Sequence, residues 1–186
     1  MDNTRFIYVL LVRYPDLFSR LFRFFARCRY SHASIGISDA DGSFYSYVTT
    51  GFRKELPLQH PLFRRREVPC KLLRIPISDE MYRDAKTALA SHESVAHRFK
   101  YNGLGLFLCL LRIVWPMKNQ YFCSQFVSEI LGDVGAVSLA KHSALYLPDD
   151  FAKMNEMELC FTGYLSRMVQ EMTARLQGNH LAAAGF

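Results

Sequence analysis

Cys123 stands in the stretch Asn119-Gln120-Tyr121-Phe122-Cys123-Ser124-Gln125-Phe126-Val127-Ser128-Glu129-Ile130-Leu131. Phe126, Val127, Ile130 and Leu131 repeat at helical spacing, which predicts a helix beginning close to the cysteine. A thiol in the first turn of a helix feels the positive end of the macrodipole, which favours thiolate over thiol. Thiolate is the nucleophilic form, so this placement suits acyl transfer. The plain alternative is a small apolar residue buried in a core, a common fate of free cysteines. A histidine able to pair with the thiol separates the two.

That histidine is His32, in Tyr30-Ser31-His32-Ala33-Ser34-Ile35-Gly36-Ile37-Ser38. Ala33, Ile35 and Ile37 alternate with His32, Ser34, Gly36 and Ser38, the period of a strand with one apolar face. Asp39-Ala40-Asp41-Gly42 reads as a turn, and Phe44-Tyr45-Ser46-Tyr47-Val48-Thr49-Thr50 as the returning strand. A three-residue loop, Ala40-Asp41-Gly42 with Gly42 left-handed, puts Ser46 on the His32 face. A two-residue loop puts Tyr45 and Tyr47 there instead. Ser46 lies nearer the turn than His32, so direct contact between them requires a bent hairpin.

With these two segments the chain resembles the NlpC-type papain-like superfamily in its circularly permuted branch, which includes YiiX-like proteins and relatives of lecithin retinol acyltransferase. The histidine strand precedes the cysteine helix, the reverse of the unpermuted enzymes. The resemblance covers roughly the first four-fifths of the chain, with Phe99-Lys100-Tyr101-Asn102-Gly103-Leu104-Gly105 and Leu147-Pro148-Asp149-Asp150-Phe151 as further matching segments. It implies an α+β, papain-like antiparallel sheet packed against helices. It also implies Cys123 as nucleophile, His32 as base and Ser46 at the third polar position, where family members commonly carry histidine. A serine there is a weaker orienting group.

The 186-residue chain carries a net charge of +6 and contains five cysteines. Cys28, Cys70, Cys109, Cys123 and Cys160 are scattered without paired spacing, which argues against a disulfide framework or structural zinc. The start lacks the pattern of a secretory signal, and no apolar run is long enough to span a membrane, so a cytoplasmic location is expected. Arg20, Arg23, Arg27 and Arg29 accompany Leu17, Phe18, Leu21, Phe22, Phe24 and Phe25 in an amphipathic helix. Such a helix either packs into the core with a solvated arginine face or meets anionic lipid headgroups. Arg64-Arg65-Arg66 is a second basic cluster. Neither a zinc-finger spacing nor an aromatic-basic recognition motif is present, so nucleic acid is not expected as a partner.

The expected order is strand 5–13, helix 15–28, strand 32–38 and strand 43–50, then strand 70–75 beside the hairpin. Helices follow over 78–94, 102–114, 123–134 and 157–176. One domain over 1–176 is expected, with a loosely ordered tail over 177–186. Ser78 caps its helix and Asp79-Glu80 form an acidic first turn. His142 is the second-choice base, and Asp149 and Asp150 are helix caps rather than catalytic acids. Leu104–Trp115 is either a buried helix or one wall of an apolar acyl-binding groove.

The chemistry implied is cysteine hydrolysis by acyl transfer, without metal or organic cofactor, on a small-molecule, peptide or acyl substrate. Amide bonds, including those of wall-derived peptides, are favoured; lipid acyl esters or thioesters are the competing substrates. A non-catalytic ligand-binding module is the third reading. The Cys123 backbone N–H, Tyr121, Gln120 and Tyr101 are candidate oxyanion or substrate contacts.

Overall fold

Ile7, Val9, Leu10, Leu11 and Val12 are fully buried. A strand covered on both faces reads as a continuous apolar run, and β1 (Arg5–Val12) is the inner strand that this run builds. The computed structural model describes residues 4–38, 42–56, 67–96, 100–115, 117 and 119–172. After β1 come α1 (Leu17–Ala26), β2 (His32–Ile37), β3 (Phe44–Val48), β4 (Gly51–Glu55) and β5 (Pro69–Ile77). Then follow α2 (Asp79–Ser94), β6 (Lys100–Tyr101), α3 (Gly103–Leu110), β7 (Gln120–Tyr121) and α4 (Cys123–Asp133). A 3-10 turn (Ser143–Leu145), the short α5 (Pro148–Phe151), β8 (Glu158–Tyr164) and a helix α6 over 165–172 complete the described chain.

The main sheet is antiparallel, in the order β4-β3-β2-β1-β5-β8. Its two faces bury different helices. Val9, Leu11, Ile35 and Tyr47 join one core with Leu89 of α2 and Phe126, Val127 and Ile130 of α4. Leu10, Val12, Phe44 and Leu72 join another with Leu165 and Met168 of α6. The architecture is therefore a mixed α+β fold, an antiparallel sheet packed against several helices. Among the described residues no helix is long and apolar enough to cross a membrane.

Several expected elements change. The stretch expected to open the last helix, 157–176, instead forms β8 along the edge of β5, with a bulge between Leu72 and Leu73, and helix begins only at 165. An open strand edge offers Glu158–Tyr164 a full ladder, and that tertiary pairing overrides local preference. β5 lies beside β1, not beside the hairpin. The 102–114 helix shortens to α3: Arg112 turns left-handed at φ 59, and Ile113 N–H bonds Leu108 C=O at 2.9 Å while Arg112 N–H bonds Cys109 C=O at 3.0 Å. That is a Schellman termination with arginine where glycine is usual.

The strand expected over 43–50 ends at Val48, and Thr49-Thr50 turn into β4, a strand outside the expected order. Ser78 accepts the Met81 N–H, as a cap should. Asp150 caps α5 by accepting the Leu147 N–H at 2.9 Å, whereas Asp149 accepts the backbone N–H groups of Arg29 and Tyr30 just before β2. Gly42 is left-handed at φ 60. Asp39, Ala40, Asp41, the Arg64-Arg65-Arg66 cluster, Phe99 and the 177–186 tail lie outside the described residues.

Candidate active site

α4 begins where β7 delivers the chain. Phe122 is its N-cap, in extended backbone, and Cys123 is the first helical residue. The cap residue is held by packing: Phe122 is fully buried against Phe22 of α1 and Leu106 and Cys109 of α3. The apolar stripe beyond Cys123, with Phe126, Val127 and Ile130, lays α4 on the sheet.

β2 and β3 pair at Ile35↔Tyr45 and Gly36↔Phe44 and then part. This register carries Ser46 opposite Ser34, on the His32 side of the sheet; the face is the expected one, but the pairing is shifted two residues from that of a loop over 40–42, which would set Ser46 opposite Gly36. Ser46 nevertheless does not orient His32. Its hydroxyl donates to the Ala33 carbonyl at 2.7 Å, filling the ladder position that the parting strands leave open. The Ala33 N–H lies near enough to favour the charged form of the Cys123 sulfur.

Glu55 takes the role expected of Ser46. The next hairpin pairs Ser46 with Arg53 and Phe44 with Glu55, so Glu55 faces the same side as Ser46 and His32. Its Oε1 lies 3.0 Å from His32 Nε2, and both residues are buried. With Nε2 committed to Glu55, Nδ1 is the ring nitrogen left free of it, and Cys123 lies near enough that thiol and imidazole shift each other's pKa. Three separate segments thus bring Cys123, His32 and Glu55 close enough to shift one another's pKa. Glu55 Oε2 and Ser34 Oγ are buried and close enough for the hydroxyl to favour the carboxylate, although short of a well-formed hydrogen bond.

The electrostatics follow from this grouping. Burial disfavours the charged form of His32, but the Glu55 charge and the ring's interactions as donor toward Cys123 and Glu55 outweigh it and push the imidazole up to about 10. Burial opposes Cys123 ionisation as well, yet the His32 hydrogen bond and charge, with the Ala33 and Ser124 backbone N–H groups, hold the thiol below its ordinary value. Burial would raise Glu55, and the His32 charge and hydrogen bond hold it down. The arrangement favours thiolate, imidazolium and carboxylate together. Elsewhere burial pushes the thiols of Cys28 and Cys109 up to about 11 and that of Cys70 up to about 12.

Two phenols lie near enough to feel the Cys123 charge. Burial and the Cys123 charge raise Tyr101; burial, then Glu55, with Cys123 contributing, raises Tyr14. Both therefore remain O–H donors. Tyr14 also packs its ring 5.4 Å from that of His32. Tyr121 points elsewhere: its hydroxyl donates to Glu129 at 3.1 Å and its ring joins Tyr47, His92 and Phe126. Gln120 pairs with Lys100 in the small β6–β7 ladder. His142 Nδ1 accepts the Ala144 N–H at 3.1 Å, capping the 3-10 turn locally. Among the described residues no group of three or more His, Cys, Asp or Glu could hold a metal ion.

Sequence reasoning missed Glu55 and Tyr14. The available signal for Glu55 was period-2 continuation through Gly51-Phe52-Arg53-Lys54-Glu55, hidden by its charged composition. Comparison with protein-family models finds none that matches the chain, and comparison with curated proteins finds no matching relative.

Proposed function

We propose that this chain is a cysteine hydrolase working by acyl transfer, and that its scaffold is the permuted NlpC-type papain-like arrangement. The observation that carries the reading is the Cys123–His32–Glu55 grouping, in which a helix-start thiol with a lowered pKa meets an imidazole with a raised one. The Cys123 thiolate attacks a carbonyl carbon, and the new oxyanion is met by donors at the start of α4 with the Tyr101 and Tyr14 hydroxyls beside it. Collapse expels the amine or alcohol, which takes its proton from His32. His32, now neutral, accepts a proton from water as the water attacks the thioester. The acid is released and the thiolate re-forms beside imidazolium. Glu55 keeps the ring oriented throughout and favours its return to imidazolium.

Amide carbonyls, as the resemblance implies, are the proposed substrate. Acyl esters are the second reading, favoured by the apolar outer faces of α1 and α3 next to the Phe122 cluster. The test is iodoacetamide labelling of Cys123 across pH, alongside turnover of amide and ester probes. Labelling that rises below the pH expected of an ordinary cysteine supports the reading. Labelling with an unperturbed midpoint, or turnover surviving Cys123→Ala, overturns it.

A further inference from the structure

Thirteen large apolar side chains are exposed among the described residues, and eleven of them lie on α1, on α3 or in the turn that follows α3. On α1 the exposed residues Leu17, Phe18, Leu21, Phe24 and Phe25 fall within one arc of about 120° at 3.6 residues per turn. That arc is continuous with the edge carrying buried Phe22, which packs on Leu106 and Cys109 of α3. On α3, Leu104 and Phe107 point outward, and Trp115 beyond it is 59% exposed. A shared buried cluster thus joins the two helices by their inner faces, and each leaves an apolar face outward. This contradicts core packing for the apolar face of α1, and it leaves α3 a partly exposed helix rather than a buried one.

Positive charge predominates around this surface. No aspartate or glutamate occurs from Leu17 to Ser38 or from Lys100 to Ser128, while these segments carry Arg20, Arg23, Arg27, Arg29 and Arg112. Arg27 and Arg112 occupy the left-handed positions that end α1 and α3, at φ 52 and φ 59, where glycine fits at less cost. Nearby acids are committed: Asp16 caps α1, Asp149 holds the Arg29 and Tyr30 amides, and Asp150 pairs with Lys141.

We propose that α1 and α3 form an interfacial membrane-docking surface that inserts its aromatic and leucine side chains into an anionic bilayer with the arginines at headgroup level. An apolar patch edged by cations and by an interfacial tryptophan matches that environment on both counts. Phe122, the cap of the Cys123 helix, packs beneath the same helices, so docking sets the candidate site close to the membrane. The inference stands apart from the acyl-transfer reading.

The experiment is flotation with phosphatidylcholine vesicles containing, or lacking, roughly one-third phosphatidylglycerol, a charge density that attracts basic surfaces. The full chain is expected to float with the anionic vesicles and to be released near 1 M salt, where the Debye length is about 3 Å. Arg20→Gln with Arg27→Gln should weaken binding roughly thirtyfold, and Phe24→Ser with Phe107→Ser should remove it while thermal unfolding is unchanged. Absence of binding to anionic vesicles at low salt overturns the proposal, as does equal, salt-independent binding to neutral ones. A dimer that the phenylalanine variant converts to monomer, without vesicle binding, also overturns it and assigns the face to a second copy. Iodoacetamide labelling of the same samples keeps the two readings distinct: fast labelling without flotation sinks docking alone, and flotation with ordinary labelling sinks the thiolate alone.

Discussion

His32 and Glu55 are 5% and 6% exposed, whereas Phe24 and Phe25, on an outer helix, are 76% and 69% exposed. Each pair reverses what its side chains prefer, and the reasons differ. At the site, burying a carboxylate and an imidazolium costs several kcal/mol per ion, which their mutual attraction and hydrogen bond offset in part. An apolar pair of similar volume would often serve stability as well or better. Keeping the ions there serves the thiolate. On α1 and α3 nothing within the described chain offsets the exposed apolar area. One region is completed internally, and the other calls for something outside.

The largest effects should come from breaking the internal region. Cys123→Ala is expected to abolish turnover of amide or ester probes, and His32→Ala to lower it about 10²–10⁴-fold. Residual turnover in the cysteine variant equal to wild type would remove covalent catalysis. Glu55→Gln is the sharper test, because it keeps shape and removes charge. Without the carboxylate the imidazole loses the influence that raises it, so imidazolium is lost at lower pH and the thiolate loses its partner. The midpoint for iodoacetamide labelling should therefore move up in the variant. In the wild type, turnover should rise at a pH below the ordinary thiol value and fall near pH 10 as His32 loses its proton. A labelling midpoint indifferent to Glu55→Gln would take Glu55 out of the grouping.

That Glu55 rather than Ser46 faces the imidazole marks where the sequence stops being legible. The Cys123 helix and the His32 strand are local patterns, written in apolar spacing, and the structure places both elements as the spacing implies. The third residue depends on two hairpins in succession. The first puts Ser46 on the right side; the parting of β2 from β3 then turns its hydroxyl to Ala33 and leaves the His32 position to the next strand. β4 was missed because Arg53, Lys54 and Glu55 dilute its alternation, and β8 because its partner edge lies about ninety residues upstream. Long-range pairing decides both cases, and a window of residues cannot contain it. The α1 pattern was legible as amphipathic, but whether its apolar side faces core or solvent depends on which helix lies against it.

Ser46→Ala should have an intermediate effect that divides stability from chemistry. Removing the hydroxyl leaves the buried Ala33 carbonyl without the 2.7 Å bond, a loss of about 1–3 kcal/mol in chemical denaturation. Turnover should fall less than in Glu55→Gln, since the Ser46 hydroxyl bonds the Ala33 carbonyl and not the His32 ring. A turnover loss matching that of Glu55→Gln, with unchanged stability, would return Ser46 to the orienting role.

The smallest effect is expected on the outer face, and its smallness is the point. Phe22 and Phe24 lie two residues apart on α1, the first 7% exposed and packed on Leu106, Cys109 and Phe122, the second 76% exposed. Phe22→Ala should cost about 3–5 kcal/mol, the usual loss for a buried phenylalanine. Phe24→Ser should stay within about 0.5 kcal/mol, as substitutions away from packed contacts do. Urea unfolding of both variants checks the pair under one condition. If Phe24→Ser unfolds as readily as Phe22→Ala, the α1 face is covered within the folded chain, and the contrast between a self-completed site and an uncompleted surface fails. If the difference holds, the exposed aromatics contribute nothing to folding, which leaves contact beyond the chain to account for them.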